Sequence, residues 1–186
     1  MWKDLHSIGQ DTVVSVYTDK QDTKHFAAGF IPYADETHVL IAHIAPSGLY
    51  DGFIAMKIGS IVRLDYGGTY EKKIGALYRL RGQKHETVTV RDGSLIQSML
   101  AFAKARAYVV TLELLDSGED DLQGYVQALE DETVNIRLIG SYGEEDGNAL
   151  IREADITGLV CNSEDEYILK LLRENAPPDG FPPAGV

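Results

Sequence analysis

The sequence predicts a mainly β protein: two small, strongly bent five-stranded barrels, each opened by a short helix and closed by another. Three observations predict it. The chain repeats itself at an offset of 95, aligning Gly29 with Gly124, Val39 with Val134, Ile41 with Ile136, Gly48 with Gly143, Asp51-Gly52 with Asp146-Gly147 and Ile61 with Ile156. Each copy carries five short runs rich in Val, Ile, Thr and Tyr, the composition of strands. Finally, a helix and five short strands in roughly 70 residues are too little chain to cover both faces of an open sheet. Closing the sheet on itself removes its edges.

The elements follow in order. In the first copy, Trp2, Leu5 and Ile8 lie at helical spacing and predict a short amphipathic helix. Strands are expected near 12–18, 25–34, 37–45, 52–58 and 60–66. The run TYEKKIGALYRL then predicts a helix capped by Thr69, although Gly75 lowers its propensity. Residues 85–91, HETVTVR, alternate like an extra strand that caps an edge. In the second copy, SLIQSMLAFAKAR at 94–106 predicts a helix through Leu95, Met99, Phe102 and Ala103, with Ser94 as N-cap. Strands are expected near 107–115, 122–130, 132–140, 147–152 and 155–161. Ser163 and Glu166 form a capping box for the closing helix EDEYILKLLREN. The Asp-Gly pairs at 51–52 and 146–147 suit tight reversals. Asp35-Glu36-Thr37 matches Asp131-Glu132-Thr133 at an offset of 96, which places a one-residue insertion in that turn. The domains are therefore 1–92 and 93–175, with a Pro/Gly-rich tail, 176–186, expected to be disordered.

Charge and composition narrow the function classes. Net charge is −12. Residues 1–92 hold 11 Lys/Arg and 11 Asp/Glu, whereas residues 93–186 hold 6 and 18, so the whole excess lies in the second half. No stretch approaches the roughly 20 apolar residues of a membrane span, and the opening MWKDLHSIGQD has no secretory core. The single cysteine, Cys161, excludes an intrachain disulfide and fits a reducing cytoplasm. It falls on an expected strand, as a small buried hydrophobe. Asp35, His38 and His43 are the nearest approach to a metal site. His38 and His43 are five apart and face opposite sides of a strand, so no metal is expected. Ser47, Ser60 and Ser94 lack a base, and Gly67-Gly68-Thr69 is too short for a phosphate loop. No catalytic residue and no cofactor are expected, and the chain is read as a non-enzyme.

One basic cluster stands out. Lys72, Lys73, Arg79, Arg81 and Lys84 follow the first set of strands, with Tyr66, Tyr70 and Tyr78 interleaved. Cations with aromatic rings suit single-stranded nucleic acid. The alternative is a charged helix face whose tyrosines pack on the barrel.

The pattern Gly124-x-Val126, then Asp131-x-x-Val134-Asn135, resembles the first motif of the Sm and Sm-like proteins, and Leu150-Ile151-Arg152 with Ile156 resembles their second. The resemblance implies an SH3-like barrel and an RNA-base pocket lined by Asp131, Asn135 and Arg152. The first copy keeps Asp35, has Lys57 for the arginine and places Val39 where the asparagine stands. Glu153 replaces the second-motif glycine, and Glu130, Glu132, Glu144, Glu145 and Asp146 crowd the same end. RNA would meet an opposing field there, so binding is expected mainly through the first copy. The Gly-Leu-Tyr-Asp-Gly turn and Tyr-Glu-Lys-Lys-Ile run are also similar to those of uncharacterised bacterial tandem-barrel proteins, a resemblance that implies no function. Two readings compete: an RNA-binding tandem barrel protein, and a protein-interaction or regulatory module using strand edges or the acidic copy. A monomer or homodimer is expected rather than a ring.

Overall fold

The computed structural model describes residues 5–21, 24–91, 94–114 and 122–175. The protein is mainly β. It divides into two compact units, Met1–Leu95 and Ile96–Val186. The first contains α1 (Leu5–Gly9), β1 (Val14–Tyr17), β2 (Ala27–Ala34), β3 (His38–Ile44), β4 (Tyr50–Lys57), a 3-10 turn (Ile58–Ser60), β5 (Arg63–Tyr66) and α2 (Thr69–Leu80). The second repeats this order: α3 (Leu95–Arg106), β6 (Val109–Leu114), β7 (Leu122–Glu130), β8 (Thr133–Ile139), β9 (Glu145–Arg152), a 3-10 turn (Glu153–Asp155), β10 (Ile156–Cys161) and α4 (Glu164–Asn175). Trp2 and the tail 176–186 lie outside the described residues. No described helix is long and apolar enough to cross a membrane.

The expectation of closed barrels is corrected. Within the first unit the strands run β5-β1-β2-β3-β4, and within the second β10-β6-β7-β8-β9, antiparallel throughout. Among the described residues no ladder joins β4 to β5 or β9 to β10, so each row is open. In the first unit, helices cover what closure would have covered. Leu5 of α1 packs with Val14, Val16, Ile31, Val39, Ile41 and Ile61. On α2, Ile74 and Tyr78 pack with Val13 and Ile44. With cover on both sides, β1 is buried along its whole length, and β3 from Val39 to Ala42. The extra strand near 85–91 is also corrected. Residues 83–90 are irregular, and Arg91 makes only an isolated bridge to Ser94.

Two glycine pairs explain how the strands bend. Gly29 lies opposite His43 and Gly124 opposite Leu138. A Cβ at either would drive into the backbone carbonyl of Ala42 or Arg137, so only glycine lets the strands approach this closely. Gly52 and Gly147 are not reversals. Both lie inside strands with φ of +70° and +83°, where two residues oppose one between Ala42 and Ile44 and between Arg137 and Ile139. They form glycine bulges. The reversals lie just before, where Gly48 N–H donates to Ala45 O (2.8 Å) and Gly143 N–H to Gly140 O (2.9 Å).

The register also corrects the turn alignment. Ala34 pairs with Val39 and Leu129 with Val134, an offset of 95 on both strands. The chain adds no residue there, and the one-residue change falls between the first and second strands, since Val14 pairs with Gly29 but Val110 with Gly124. Asp35 therefore occupies the position of Glu130, and Leu40, not Val39, that of Asn135.

Among the described residues, each unit buries one carboxylate. Glu71 and Glu166, the third residues of the closing helices, are 7% and 3% exposed. Ser15 Oγ donates to Glu71 Oε1 at 2.6 Å, and Thr111 Oγ1 to Glu166 Oε1 at 2.7 Å. Ser163 N–H donates to Glu166 Oε2 at 2.9 Å, one arm of the expected capping box. In α2 the N-cap is Gly68 rather than Thr69.

Candidate nucleic-acid interface

The cations of the first unit stand on α2 and its exit. Glu71, Ile74, Gly75 and Tyr78 form the buried face, so the helix presents Lys72, Lys73 and Arg79 outward, followed by Arg81 and Lys84. Lys72 and Arg79 are two turns apart and share one side. None of these five residues forms an ion pair among the described residues. Between Lys72 and Arg79, Gly75 leaves a groove of about 380 Å³ against Asp11, Thr12 and Val13. That is the use of the residue that weakened the helix in the sequence. Lys57 stands apart, at the end of β4 opposite His38.

The interleaved tyrosines do not make a stacking platform. Tyr78 is 7% exposed and packs edge-on against Phe30. Tyr70 packs edge-on against Phe26 at 5.2 Å. Only Tyr66, 58% exposed, is open to a base. The surface of α2 and its exit thus presents five cations with one open ring beside them.

In the second unit the structure gathers part of the expected pocket. Asp131 sits in the β7–β8 turn with φ +44°. Asn135 pairs with Leu150 and Thr133 with Arg152 across the β8–β9 ladder, so Asn135 and Arg152 share a face as diagonal neighbours. The Oδ1 of Asn135 is buried without a hydrogen-bond partner among the described residues. Arg152, however, donates to Asp155 at 2.7 Å. The first unit does not reproduce the trio. Asp35 is a turn residue whose Oδ1 accepts from Thr37 N–H (2.7 Å), His38 N–H (2.7 Å) and Thr37 Oγ1 (2.8 Å). Burial works against its charge, but these bonds outweigh it and hold its pKa below the ordinary carboxylate value.

Sequence reasoning missed one cluster. His85, on the irregular segment after α2, lies against Tyr50 (4.5 Å between centroids), Phe53 (5.3 Å) and Tyr78 (5.4 Å). Its Nε2 faces the carbonyl of His43 at 2.8 Å. A carbonyl only accepts, so Nε2 carries the proton and Nδ1 accepts from Tyr78 Oη at 2.7 Å. Burial drives the ring's pKa down to about 4, against the pull of backbone bonds to His43 and Gly52. Alongside, His43 Nδ1 lies 3.1 Å from Asp51 Oδ2. Both nitrogens of His85 are committed, so the ring is a clamp on the segment after α2 rather than a base. His38 and Asp35 stay at the far end of β3, and among the described residues no three His, Cys, Asp or Glu side chains converge on a metal position. No family model, curated protein or solved structure matches this chain.

Proposed function

We propose that this chain is a non-enzymatic, Sm-like RNA-binding protein built as a tandem duplication, which holds the phosphate backbone of single-stranded RNA along α2 and its exit. The observation that carries the reading is the state of the cations on α2 and its exit: five exposed Lys/Arg residues without an acidic partner among the described residues, in a chain of net charge −12. Such charges lower their free energy by displacing counterions from a polyanion. The matched element order and the constant offset of the two ladders support the duplication.

The test is fluorescence anisotropy with a labelled single-stranded RNA across a salt series. Binding that weakens with salt is expected. Charge reversal of Lys72, Lys73 and Arg81 to Glu should abolish it at moderate salt, and neutralising them should flatten the log–log salt slope by about 2, at roughly 0.7 per phosphate contact. Binding that ignores these changes refutes the reading.

A second reading, a protein-contact surface, is favoured by α4. Tyr167, Ile168 and Leu171 are 47%, 44% and 39% exposed on one stretch of that helix, an apolar surface that solvated helices seldom present together. No RNA binding at low salt, together with a co-purifying protein lost in Ile168→Glu, favours this reading over the first.

A further inference from the structure

The second unit carries a cleft that the α2 reading does not use. It encloses about 410 Å³ between α3, β7, β8 and α4, and its wall includes Lys104, Tyr108, Tyr125, Arg137, Arg173 and Glu174. Residues 93–186 hold only six Lys/Arg among eighteen acids, and three of the six line this one cleft. The field of the half is negative, yet its cations are concentrated here. That distribution is what an anion site in an acidic surface requires.

The arginines show where an anion sits. Arg173 Nη2 donates to Glu145 Oε1, and Arg137 Nη1 lies 4.0 Å from the same oxygen. Two guanidinium groups thus converge on one oxygen, the arrangement that suits a phosphate. Glu145, which holds both arginines of this wall from β9, is 54% exposed and so is readily displaced into solvent. Lys104 has no ion-pair partner among the described residues and adds a third positive charge on α3. Aromatic groups complete the lining. Arg137 stands over the Tyr125 ring at 5.4 Å, and Tyr108, half-buried, contributes a second ring.

We propose that this cleft binds a phosphate monoester carried on a planar base, either a free mononucleotide or the terminal nucleotide of an RNA strand, with Glu145 as the built-in competitor that the phosphate displaces. Arg137 and Arg173 take the phosphate and Lys104 closes on it. Lys170 stands over one face of the Tyr108 ring at 5.5 Å, and the ring offers its other face to the base. The site lies wholly within the second unit and does not depend on α2.

Isothermal titration of the full chain with AMP and with UMP tests it, with inorganic phosphate and matched oligonucleotides bearing or lacking a 5′-phosphate as further arms. Saturable binding of a mononucleotide is expected, tighter than inorganic phosphate. Arg137→Gln with Arg173→Gln should weaken it at least roughly tenfold, the scale of charge-assisted hydrogen bonds. Glu145→Gln, which removes the competitor without opening a cavity, should tighten it several-fold. Charge reversal at Lys72, Lys73 and Arg81 should leave it unchanged, which separates failure here from failure of the α2 reading. Preference for the 5′-phosphorylated oligonucleotide over AMP identifies a strand terminus as the ligand, and the reverse a free nucleotide. No saturable binding by any arm, or a Glu145→Gln variant that binds no better than the parent, overturns the proposal.

Discussion

Replacing Glu166 with alanine should destabilise the second unit by about 3 kcal/mol, through hydrogen bonds rather than lost packing. The side chain is 3% exposed and accepts from Thr111 Oγ1 and Ser163 N–H. Bonds to a charged acceptor contribute about 1.5–3 kcal/mol each, and losing the cap arm costs about 1 kcal/mol. Truncation also leaves the Thr111 hydroxyl, 2% exposed, with only Gln123 Nε2 nearby at 3.2 Å. Thr111→Val removes that orphan while keeping the shape. In the Thr111→Val background, Glu166→Ala should therefore cost roughly 1.5–2 kcal/mol less, a coupling within the range measured for groups sharing a network. The assay is urea unfolding followed by far-UV circular dichroism for parent, both single variants and the double variant. In thermal melts, Glu166→Ala should lower Tm by roughly 6–12 °C, at about 2–4 °C per kcal/mol for a chain of this size. The same cycle at Ser15 and Glu71 should return a coupling of similar size, because the geometry recurs at 2.6 Å. A coupling under about 0.5 kcal/mol, the ordinary additivity error, would refute the claim that the carboxylate and hydroxyl act as one unit.

Two further outcomes follow from the geometry. His85 binds its proton only near pH 4 when folded, whereas the unfolded chain binds it near 6.5. Stability from this group is thus complete above about pH 6.5 and falls as the pH drops towards 4, by about 3 kcal/mol in all. His85→Gln should lose that component of the acid sensitivity, and a variant whose stability–pH curve runs parallel to the parent's between pH 4 and 7 contradicts the clamp. Asn135→Leu should stabilise the second unit by about 1 kcal/mol, since it removes a buried amide oxygen without a partner, and Leu40 holds the equivalent place at 0% exposure. Chemical denaturation checks it, and a destabilised variant shows that the amide is satisfied.

Much of this fold was legible in residue patterns. Runs rich in Val, Ile, Thr and Tyr placed all ten strands within three residues at either end, because those side chains suit a pleated, packed surface. The capping box at Ser163 and Glu166 was readable for a similar reason: it is local chemistry over three positions. Closure was misread because it depends on long-range cover. No periodicity in β1 announces that Ser15 faces Glu71 of α2 while Val14 and Val16 face the α1 side. An Asp-Gly pair fits a reversal and a bulge alike, because positive φ at glycine serves both. The repeated Asp-Glu-Thr predicts an offset of 96 at the turn, whereas the ladder register, which a single sequence does not display, holds it at 95. At the site, the α2 cations were legible because exposure follows from helical period. His85 was not, since HETVTVR alternates as a strand does, and only the neighbouring Tyr78 and His43 turn it into a clamp. The Arg137–Glu145–Arg173 cluster beside the cleft had no sequence signal at all. Its members are scattered over three elements.

The two closing helices show where any difference in partners must arise. At an offset of 95, Glu71 corresponds to Glu166 and Leu77 to Leu172, the positions that fix each helix to its sheet and to the preceding turn. The outward positions do not correspond in kind. Lys72, Lys73 and Arg79 become Tyr167, Ile168 and Glu174. A solvated face needs no particular residue, so drift alone would scatter polar types over both helices. Instead one face collects cations without partners and the other exposes three large apolar side chains, each the less favourable state for an isolated helix in water. On the reading proposed above, the same scaffold position meets a polyanion in one unit and an apolar surface in the other. For that reason RNA affinity should follow substitutions on α2 and remain indifferent to those on α4.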